Sequence, residues 1–204
     1  ATTIDEDGTT PLTGTITDPG TLDTFTLAVN WGDALSPNNV EQYRFDAGTT
    51  TFRLTHQYLD VNPTVTSSDD YTIDLTITDD DTGTTSEIST VTVNNVAPIL
   101  GNLSATTIDE NGTTTLSGTI TDPGTLDTFT LDVDWDDPLS PDNVERYTYS
   151  AGTTSFSLTH HYLDDNPTAS SSDDYRVGLT ITDDDAGTTI DTTSAVSYTH
   201  LRAH

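Results

Sequence analysis

The chain has 204 residues and a formal charge of -29 at neutral pH, from 34 acidic residues against five arginines and no lysine. This charge excludes nucleic acid and anionic membrane surfaces as partners, because phosphate contacts require clusters of lysine and arginine. No run of roughly 18 apolar residues occurs, so we expect no membrane insertion. The absence of cysteine excludes disulfides, thiol nucleophiles and thiolate metal sites.

Alternating apolar residues in the first half of the chain predict short β-strands, each with one face toward a core. Turn-forming clusters interrupt the alternation at DPG (18–20), SPNN (36–39), NPT (62–64) and DDDTG (79–83). No stretch shows the period of a helix. The expected inward rows, in chain order, are Phe25, Leu27, Val29 and Trp31, then Phe52, Leu54, His56 and Tyr58, then Tyr71, Ile73, Leu75 and Ile77, and finally Val91 and Val93.

The second half of the chain repeats the first. The segment TITDPGTLDTFTL occurs at 15–27 and again at 119–131, a shift of 119 - 15 = 104 positions. A repeat of this length is too long for a solenoid unit and fits a whole β-sandwich domain. We therefore predict an all-β chain of two tandem immunoglobulin-like Greek-key β-sandwiches, with about seven strands in each.

The repeat also predicts the domain boundaries. We expect the first domain at 1–95, with its N-terminal strand truncated, because the NNVAPILGNLS segment (94–104) has no counterpart before ATTIDEDG. The second domain is expected at 96–193. Residues 194–204, SAVSYTHLRAH, depart from the sequence that the end of the first copy predicts and break the alternation. We expect them to be a non-native tail.

Several segments resemble the PKD-like, immunoglobulin-like repeats of large secreted bacterial proteins. The matching segments are VNWGD (29–33), LTHQY (54–58), YTIDLTITDDDTG (71–83) and VTVNNVAP (91–98), repeated as VDWDD (133–137), LTHHY (158–162) and YRVGLTITDDDAG (175–187). The chain departs from the PKD-like glycine turn after WGD, where it has Ala34. The NNVAP linker and the later ENG (110–112) also resemble cadherin-type repeats, which bind calcium between domains. The resemblance implies an extracellular spacer or adhesion module, often calcium-dependent.

Aspartates gather in the predicted connections rather than along the strand faces. In an immunoglobulin-like order, the B–C and F–G loops of the second domain meet at one end, where the linker also arrives. Connections of the first domain are expected to face them. Crowded carboxylates repel one another, and a hard dication with roughly six to eight oxygen ligands relieves the repulsion. We therefore predict calcium at the junction between the domains, with candidate ligands Glu6, Asp69, Asn95, Asp122, Asp127, Asp183 and Asp185.

Two other interpretations of the acidic residues stay open. DDDTG is a favourable tight turn in its own right, because Asp and Gly tolerate turn geometry, and it does not match an EF-hand loop. An acidic composition without lysine is also typical of proteins from salt-rich habitats, where it reflects solvation and implies no metal site.

The sequence contains no motif that indicates catalysis, and we expect no enzymatic activity. G-x-S-x-G, HExxH and P-loop motifs are missing. His56 and His160 share the parity of the inward rows, so we interpret them as packed core residues hydrogen-bonded to a neighbour. Trp31 and Trp135 also match the core rows, which weakens the alternative function of a carbohydrate- or protein-binding module without metal dependence. The remaining aromatic candidates for that alternative are Tyr43, Phe45, Tyr147 and Tyr149.

The expected function is that of a spacer or stalk repeat of an extracellular, cell-surface bacterial adhesin-type protein, stiffened by calcium at the interdomain junction. Its expected partners are neighbouring repeats of the same chain. A glycan or protein receptor and homotypic association between chains stay open as further partners.

Overall fold

The computed structural model describes residues 2–61, 64–164 and 170–199, and the chain divides into two compact units, Ala1–Val96 (unit 1) and Ala97–His204 (unit 2). The described residues form strands joined by turns and contain no helix. None of them therefore provides a helical membrane span. The prediction of an all-β chain with two tandem sandwiches is confirmed.

Unit 1 is a sandwich of two sheets. Its strands are β1 (Thr2–Asp5), β2 (Thr9–Thr15), β3 (Phe25–Asn30), β4 (Val40–Phe45), β5 (Thr51–Gln57), β6 (Ser68–Asp79) and β7 (Thr84–Asn94). The larger sheet has the order β1-β7-β6-β3-β4, and the smaller one pairs β2 with β5. Neighbours are antiparallel except β1 and β7, which are parallel. Connections that cross between the sheets make this an immunoglobulin-like Greek key.

Unit 2 repeats this arrangement and adds a strand. Its strands are β8 (Ile99–Ala105), β9 (Ile108–Asp109), β10 (Gly112–Thr121), β11 (Phe129–Asp134), β12 (Val144–Tyr149), β13 (Ser155–Tyr162), β14 (Ser172–Asp183) and β15 (Thr188–Tyr198). The larger sheet has the order β12-β11-β14-β15-β9, and the smaller one has the order β13-β10-β8. The same strand order in both units confirms that the sequence repeat is a repeat of whole domains.

Strand β8 is the main difference between the two units. It pairs antiparallel with β10, from Ala105 opposite Leu116 to Ile99 opposite Thr121. In unit 1, the equivalent of β10 is β2, which among the described residues pairs only with β5. All of β8 except Ala105 lies within the NNVAPILGNLS segment (94–104), and the shift by 104 positions would place the counterpart of β8 before Thr2.

Alternating side chains build a separate core in each unit, because successive residues of a strand point to opposite faces. Trp31 and Trp135 are both fully buried. The Tyr58 hydroxyl donates to the Trp31 carbonyl at 2.9 Å, and the Tyr162 hydroxyl donates to the Trp135 carbonyl at 2.8 Å. Both tryptophans are therefore core residues, as the sequence pattern predicts.

The start of the expected tail belongs to the sheet. Residues 194–198 continue β15 and pair with residues 172–176 of β14. Ala195 and Ser197 are fully buried at the positions of Val91 and Val93 in the first copy. The alternation therefore continues through Ser197, contrary to the expectation from sequence, because alanine and serine are small enough to occupy inward positions. Residues 200–204 lie outside the described residues.

Candidate metal centre

Three aspartates of unit 2 converge at one end of its sandwich. Asp122 and Asp127 lie in the connection from β10 to β11, and Asp183 is the last residue of β14. Pairing of Phe129 with Asp183 brings the two turns together. One carboxylate oxygen from each aspartate lies within 4.8 Å of the others. Asp127 and Asp183 are buried, with exposed fractions of 0% and 5%, whereas Asp122 is half-buried.

Backbone amides of the two turns hold these carboxylates in place. The Gly124 amide donates to Asp122 Oδ1 at 2.8 Å, and the Gly187 amide donates to Asp183 Oδ1 at 2.7 Å. A side chain on Gly124 would place its Cβ 2.5 Å from the Asp127 carboxylate. A residue other than glycine there would therefore push the Asp127 carboxylate away from its position in the cluster.

The middle aspartate of the DDD segment joins the two turns of unit 2. Its carboxylate, Asp184 Oδ1, accepts a hydrogen bond from the Thr128 amide at 2.7 Å. Unit 1 repeats this link, since Asp80 Oδ1 accepts from the Thr24 amide at 3.1 Å. The consecutive aspartates thus have separate roles, and the first of them, Asp183, belongs to the cluster of carboxylates.

Unit 1 contains the same cluster at the same place in its fold. The shift by 104 positions from the unit 2 cluster identifies Asp18, Asp23 and Asp79. One carboxylate oxygen from each of them also lies within 4.8 Å of the others. These aspartates are half-buried or exposed. Desolvation raises the pKa of Asp23, and the adjacent Asp18 carboxylate raises that pKa further. Mutual repulsion of the carboxylates is the condition that a bound cation would relieve.

The donor atoms of both clusters suit a hard cation. All the convergent atoms are carboxylate oxygens, which Ca²⁺ and Mg²⁺ prefer, whereas zinc sites are built from histidine and cysteine in most cases. Three carboxylates are fewer than the roughly six to eight oxygen ligands of calcium. Backbone carbonyls and water would therefore complete the coordination. The residues fit calcium on these grounds.

Two further predicted ligands, Asp185 and Asp69, make hydrogen bonds within their own units. Asp185 is buried, and its amide donates to Asp183 Oδ1 at 3.0 Å. Asp69 accepts hydrogen bonds from the amide and hydroxyl of Thr64 at 2.9 and 2.7 Å, so its carboxylate holds a loop of unit 1.

Glu6 and Asn95 lie where the chain leaves unit 1. Glu6 Oε1 accepts from the Val96 amide at 2.7 Å, and the Asn95 amide donates to the Ser67 carbonyl at 3.0 Å. Their assignment as calcium ligands stays a prediction. The sequence prediction omitted Asp79 of unit 1, although the shift by 104 positions from Asp183 identifies it.

The two histidines of the inward rows are packed in the cores of their units. His56 Nε2 lies 3.0 Å from Asp33 Oδ2, and the ring stacks on Trp31 at a centroid distance of 4.9 Å. His160 repeats this arrangement with Asp137 at 3.2 Å and Trp135 at 4.7 Å. The interpretation of both histidines as packed, hydrogen-bonded core residues is confirmed.

The aromatic side chains on β4 pack against the core of unit 1. The Tyr43 hydroxyl donates to Glu41 Oε2 at 2.7 Å, and the same oxygen accepts from Trp31 Nε1 at 2.9 Å. Burial first, and then the Glu41 carboxylate, raise the pKa of Tyr43 to about 12. Tyr43 and Phe45 are both half-buried and packed on the core, so they offer little free aromatic surface for stacking on a sugar.

Comparison with known proteins found no matching family and no matching curated protein. Among solved structures, the chain is similar to calcium binding domain CBD12 of CALX1.1, with 9% identity, 97% of this chain and 96% of that chain covered, and a TM-score of 0.35. It is also similar to the complex of Dpr11 IG1 with DIP-gamma IG+IG2, with 13% identity, coverage of 98% and 94%, and a TM-score of 0.41. Because both scores are low, the assignment of the fold depends on the strand order within each unit.

Proposed function

We propose that the chain is a calcium-binding spacer segment of an extracellular, cell-surface bacterial adhesin-type protein, with no catalytic role. The observation that carries this proposal is the duplicated carboxylate cluster. Asp122, Asp127 and Asp183 converge in unit 2, and their counterparts converge at the same two turns of unit 1. A spacer built from copies of one domain would carry one such site in each copy.

The position of the cluster in unit 2 supports an effect on the linker. The chain enters unit 2 at β8, and Ile99 at its start is paired with Thr121, which directly precedes Asp122. Calcium bound by Asp122 would therefore fix the turn beside the first residues of the unit. Between Asn94 at the end of β7 and Ile99 at the start of β8 the chain has only the residues 95–98. We propose that calcium at this end limits the movement of so short a linker and thereby stiffens the spacer.

The expected energies of calcium binding are modest. Calcium modules outside cells bind at roughly 0.1 to 1 mM. A site at tenfold its dissociation constant stabilises the folded unit by about 1.4 kcal/mol. Each copy contributes a small increment, so the stiffness of a longer array would depend on the sum over its copies.

The direct test combines calorimetry with small-angle X-ray scattering on the full chain, in calcium and in chelator. We expect calcium binding with a millimolar or lower dissociation constant, and a longer, narrower distance distribution in calcium. The double variant Asp127→Asn with Asp183→Asn should lose the unit 2 site and the change in scattering. A matched control is Asp174→Asn, which removes one charge from an exposed position near the start of β14, whereas Asp183 ends that strand.

Three outcomes separate the parts of the proposal. Equal calcium binding by the double variant and the control would contradict the assignment of the site. Binding without any change in scattering would leave a calcium site but reject the stiffening of the linker. An absence of calcium binding to the unaltered chain would favour solvation or salt adaptation as the reason for the acidity.

A further inference from the structure

Unit 2 has a pocket beside the turn that joins β11 to β12. Its volume is about 360 Å³, which falls within the range of roughly 300 to 1,000 Å³ that is typical of binding sites. The turn forms one wall, and residues of β10, β12 and β13 form the others. The pocket shares no residue with the carboxylate cluster of unit 2, so it is separate from the candidate metal centre.

Hydrogen-bond acceptors dominate the lining of this pocket. Asp142 and Glu145 supply carboxylates, His161 supplies an imidazole, and Thr113 and Thr159 supply hydroxyls. Its described lining residues include no lysine and no arginine. The pocket therefore offers negative charge together with several acceptors, and this combination suits a cation that carries several N–H donors.

Glu145 is held with one carboxylate oxygen toward the core. Trp135 Nε1 and the Tyr147 hydroxyl both donate to Glu145 Oε2, each at 2.8 Å. Because both bonds use the same oxygen, Oε1 can accept from a ligand. Burial first, and then the carboxylates of Glu145 and Asp142, raise the pKa of Tyr147. Both negative charges therefore lie near the same hydroxyl.

His161 contributes a further acceptor. Its Nε2 lies 3.2 Å from the carbonyl oxygen of Asn111. A carbonyl oxygen only accepts, so Nε2 carries the hydrogen in this contact and Nδ1 of the neutral ring is an acceptor. The neighbouring His160 differs, because its Nε2 contacts Asp137 in the core. His161 is thus the histidine of β13 that an external ligand can reach.

Hydrogen bonds within the turn hold Asp142 in place. The Ser140 amide donates to the Asp137 carbonyl at 3.0 Å, and the Asp142 amide donates to Ser140 Oγ at 3.2 Å. Asn143 Nδ2 donates to Asp134 Oδ1 at 3.1 Å, which ties the end of the turn to β11. Because these bonds already order the turn, binding of a ligand costs little further conformational entropy.

Unit 1 carries a less charged version of the same surface. Asn38 stands at the position of Asp142, and Gln57 stands at the position of His161. All four side chains are exposed, so the exposure of this surface is a property of the domain that both copies share. Amide side chains are neutral and carry donors as well as acceptors. The substitutions in unit 2 therefore favour a cationic ligand there.

We propose that this pocket of unit 2 binds an arginine side chain of a separate protein. A guanidinium presents five N–H donors in a planar fork, which matches the carboxylates of Asp142 and Glu145 with His161 beside them. Pro141 and Leu163 add apolar surface, on which the arginine stem or an apolar neighbour would pack. The charge of -29 attracts a basic segment and disfavours a second copy of this acidic chain.

The test is a titration of the isotope-labelled full chain with the peptide acetyl-Leu-Arg-Leu-amide, followed through amide chemical shifts. We expect saturable shifts at Thr113, Asp142, Glu145 and His161. The matched peptide with citrulline in place of arginine keeps the shape of the side chain and removes its charge. It should bind about fivefold more weakly.

A pair of chain variants separates the pocket from the general charge of the chain. Asp142→Asn introduces the residue that unit 1 has at this position, so the fold should be kept. It should weaken binding of the arginine peptide by roughly two- to fivefold, as expected for the loss of one charge from a solvent-accessible pair. The control Asp174→Asn also removes one exposed charge, but outside the pocket, and should leave the affinity unchanged.

Three results would overturn the proposal. Equal binding of the arginine and citrulline peptides, or equal weakening by Asp142→Asn and Asp174→Asn, would show that the pocket does not recognise the guanidinium. Shifts confined to the turns around Asp127 and Asp183 would place the peptide at the candidate metal centre. Shifts at the pocket that depend on protein concentration in the absence of peptide would identify a second copy of the chain as the occupant.

Discussion

His56 Nε2 lies 3.0 Å from Asp33 Oδ2 inside unit 1, and both side chains are at least nine-tenths buried. The Asp33 carboxylate also accepts the Ser36 amide through Oδ1 at 3.2 Å. The histidine therefore links a core aromatic stack to the turn that follows Trp31. His160 and Asp137 form the same link in unit 2. A buried carboxylate is stable only while such partners remain, because its desolvation is costly.

Replacement of His56 by leucine should therefore destabilise unit 1. His56→Leu keeps much of the volume but leaves Asp33 Oδ2 without its histidine partner, and we expect a loss of about 2 kcal/mol or more in the free energy of unfolding. Chemical denaturation can measure this loss through the fluorescence of Trp31, in a Trp135→Phe background that silences unit 2. The double variant His56→Leu with Asp33→Asn should recover part of the loss. A cost below about 0.5 kcal/mol would contradict the structural role of the pair.

Calcium should raise the thermal stability of the chain. At tenfold the dissociation constant, one site contributes about 1.4 kcal/mol, which corresponds to roughly 5 to 10 °C for a domain of this size. Differential scanning calorimetry in calcium, in chelator and in sodium chloride of equal ionic strength would measure the shift. If sodium chloride gave the same increase, screening of the acidic charge would explain it and a specific site would not be needed.

Calcium binding to unit 1 should weaken as the pH falls. The pKa of Asp23 is raised above 3.8, chiefly by desolvation and then by Asp18. A raised folded-state pKa means that ionised Asp23 disfavours folding above the pKa, and protonation removes this cost as the pH falls through it. Protons therefore compete with calcium at a higher pH than for an ordinary aspartate. Titration calorimetry from neutral to acidic pH should show a decline in calcium affinity, with Asp127→Asn to remove the contribution of unit 2. The variant Asp23→Asn should have a lower calcium affinity at every pH.

Much of the fold was predictable from the sequence because each signal was local or repeated. The alternation from Phe25 to Trp31 identifies both a strand and its buried face, since the side-chain period of a strand is two. The repeat at a shift of 104 positions predicts that the chain contains two copies of the same domain. The burial of the tail at Ala195 was not predictable, because alanine and serine carry little hydrophobic signal even at inward positions.

The candidate site was predictable in part. The two turns that contain Asp122, Asp127 and Asp183 follow from an immunoglobulin-like strand order. The roles of individual aspartates do not, because residues next to one another in sequence point in different directions. Asp184 binds the Thr128 amide, and Asp69 binds Thr64. The sequence alone does not distinguish these carboxylates from one another. The candidate metal ligands among them could be identified only from the folded structure.

The ion pair between Arg146 and Asp132 should contribute little to the stability of unit 2, and it should do so only at pH values above the acidic range. Arg146 Nε and Nη2 donate to the two Asp132 oxygens at 2.6 and 2.8 Å, but the pair is exposed. Arg146 lowers the pKa of Asp132 through this hydrogen bond. A lowered folded-state pKa gives stability that is present above the unfolded value and is lost as the pH falls through the folded value.

Unit 1 offers the natural control for this pair, because Ala28 and Gln42 occupy the equivalent positions. Arg146→Gln should therefore leave thermal stability nearly unchanged at moderate salt, with a small loss at low salt and neutral pH. Thermal unfolding at two salt concentrations and at two pH values would measure this. A large loss that persists in high salt would show that the arginine stem packs on the sheet, and that its charge is not the main contribution.

Alanine at Gly118 should destabilise unit 2 more than alanine at Gly14 destabilises unit 1. A Cβ on Gly118 would lie 2.6 Å from Phe156 Cζ and 2.7 Å from Leu103 Cδ2, so it is enclosed on both sides. A Cβ on Gly14 would lie 2.5 Å from Phe52 Cε1, but Phe52 is only half-buried, so its ring can move away from the added methyl group more readily than that of the buried Phe156. Overpacking of an enclosed position costs about 1 to 3 kcal/mol, and we expect less than about 1 kcal/mol for Gly14→Ala.

Denaturation of the two single variants, each followed by the tryptophan of its own unit, would measure this difference. Equal costs for the two variants would mean that the half-buried Phe52 is held as firmly as the buried Phe156, which would contradict the expected difference.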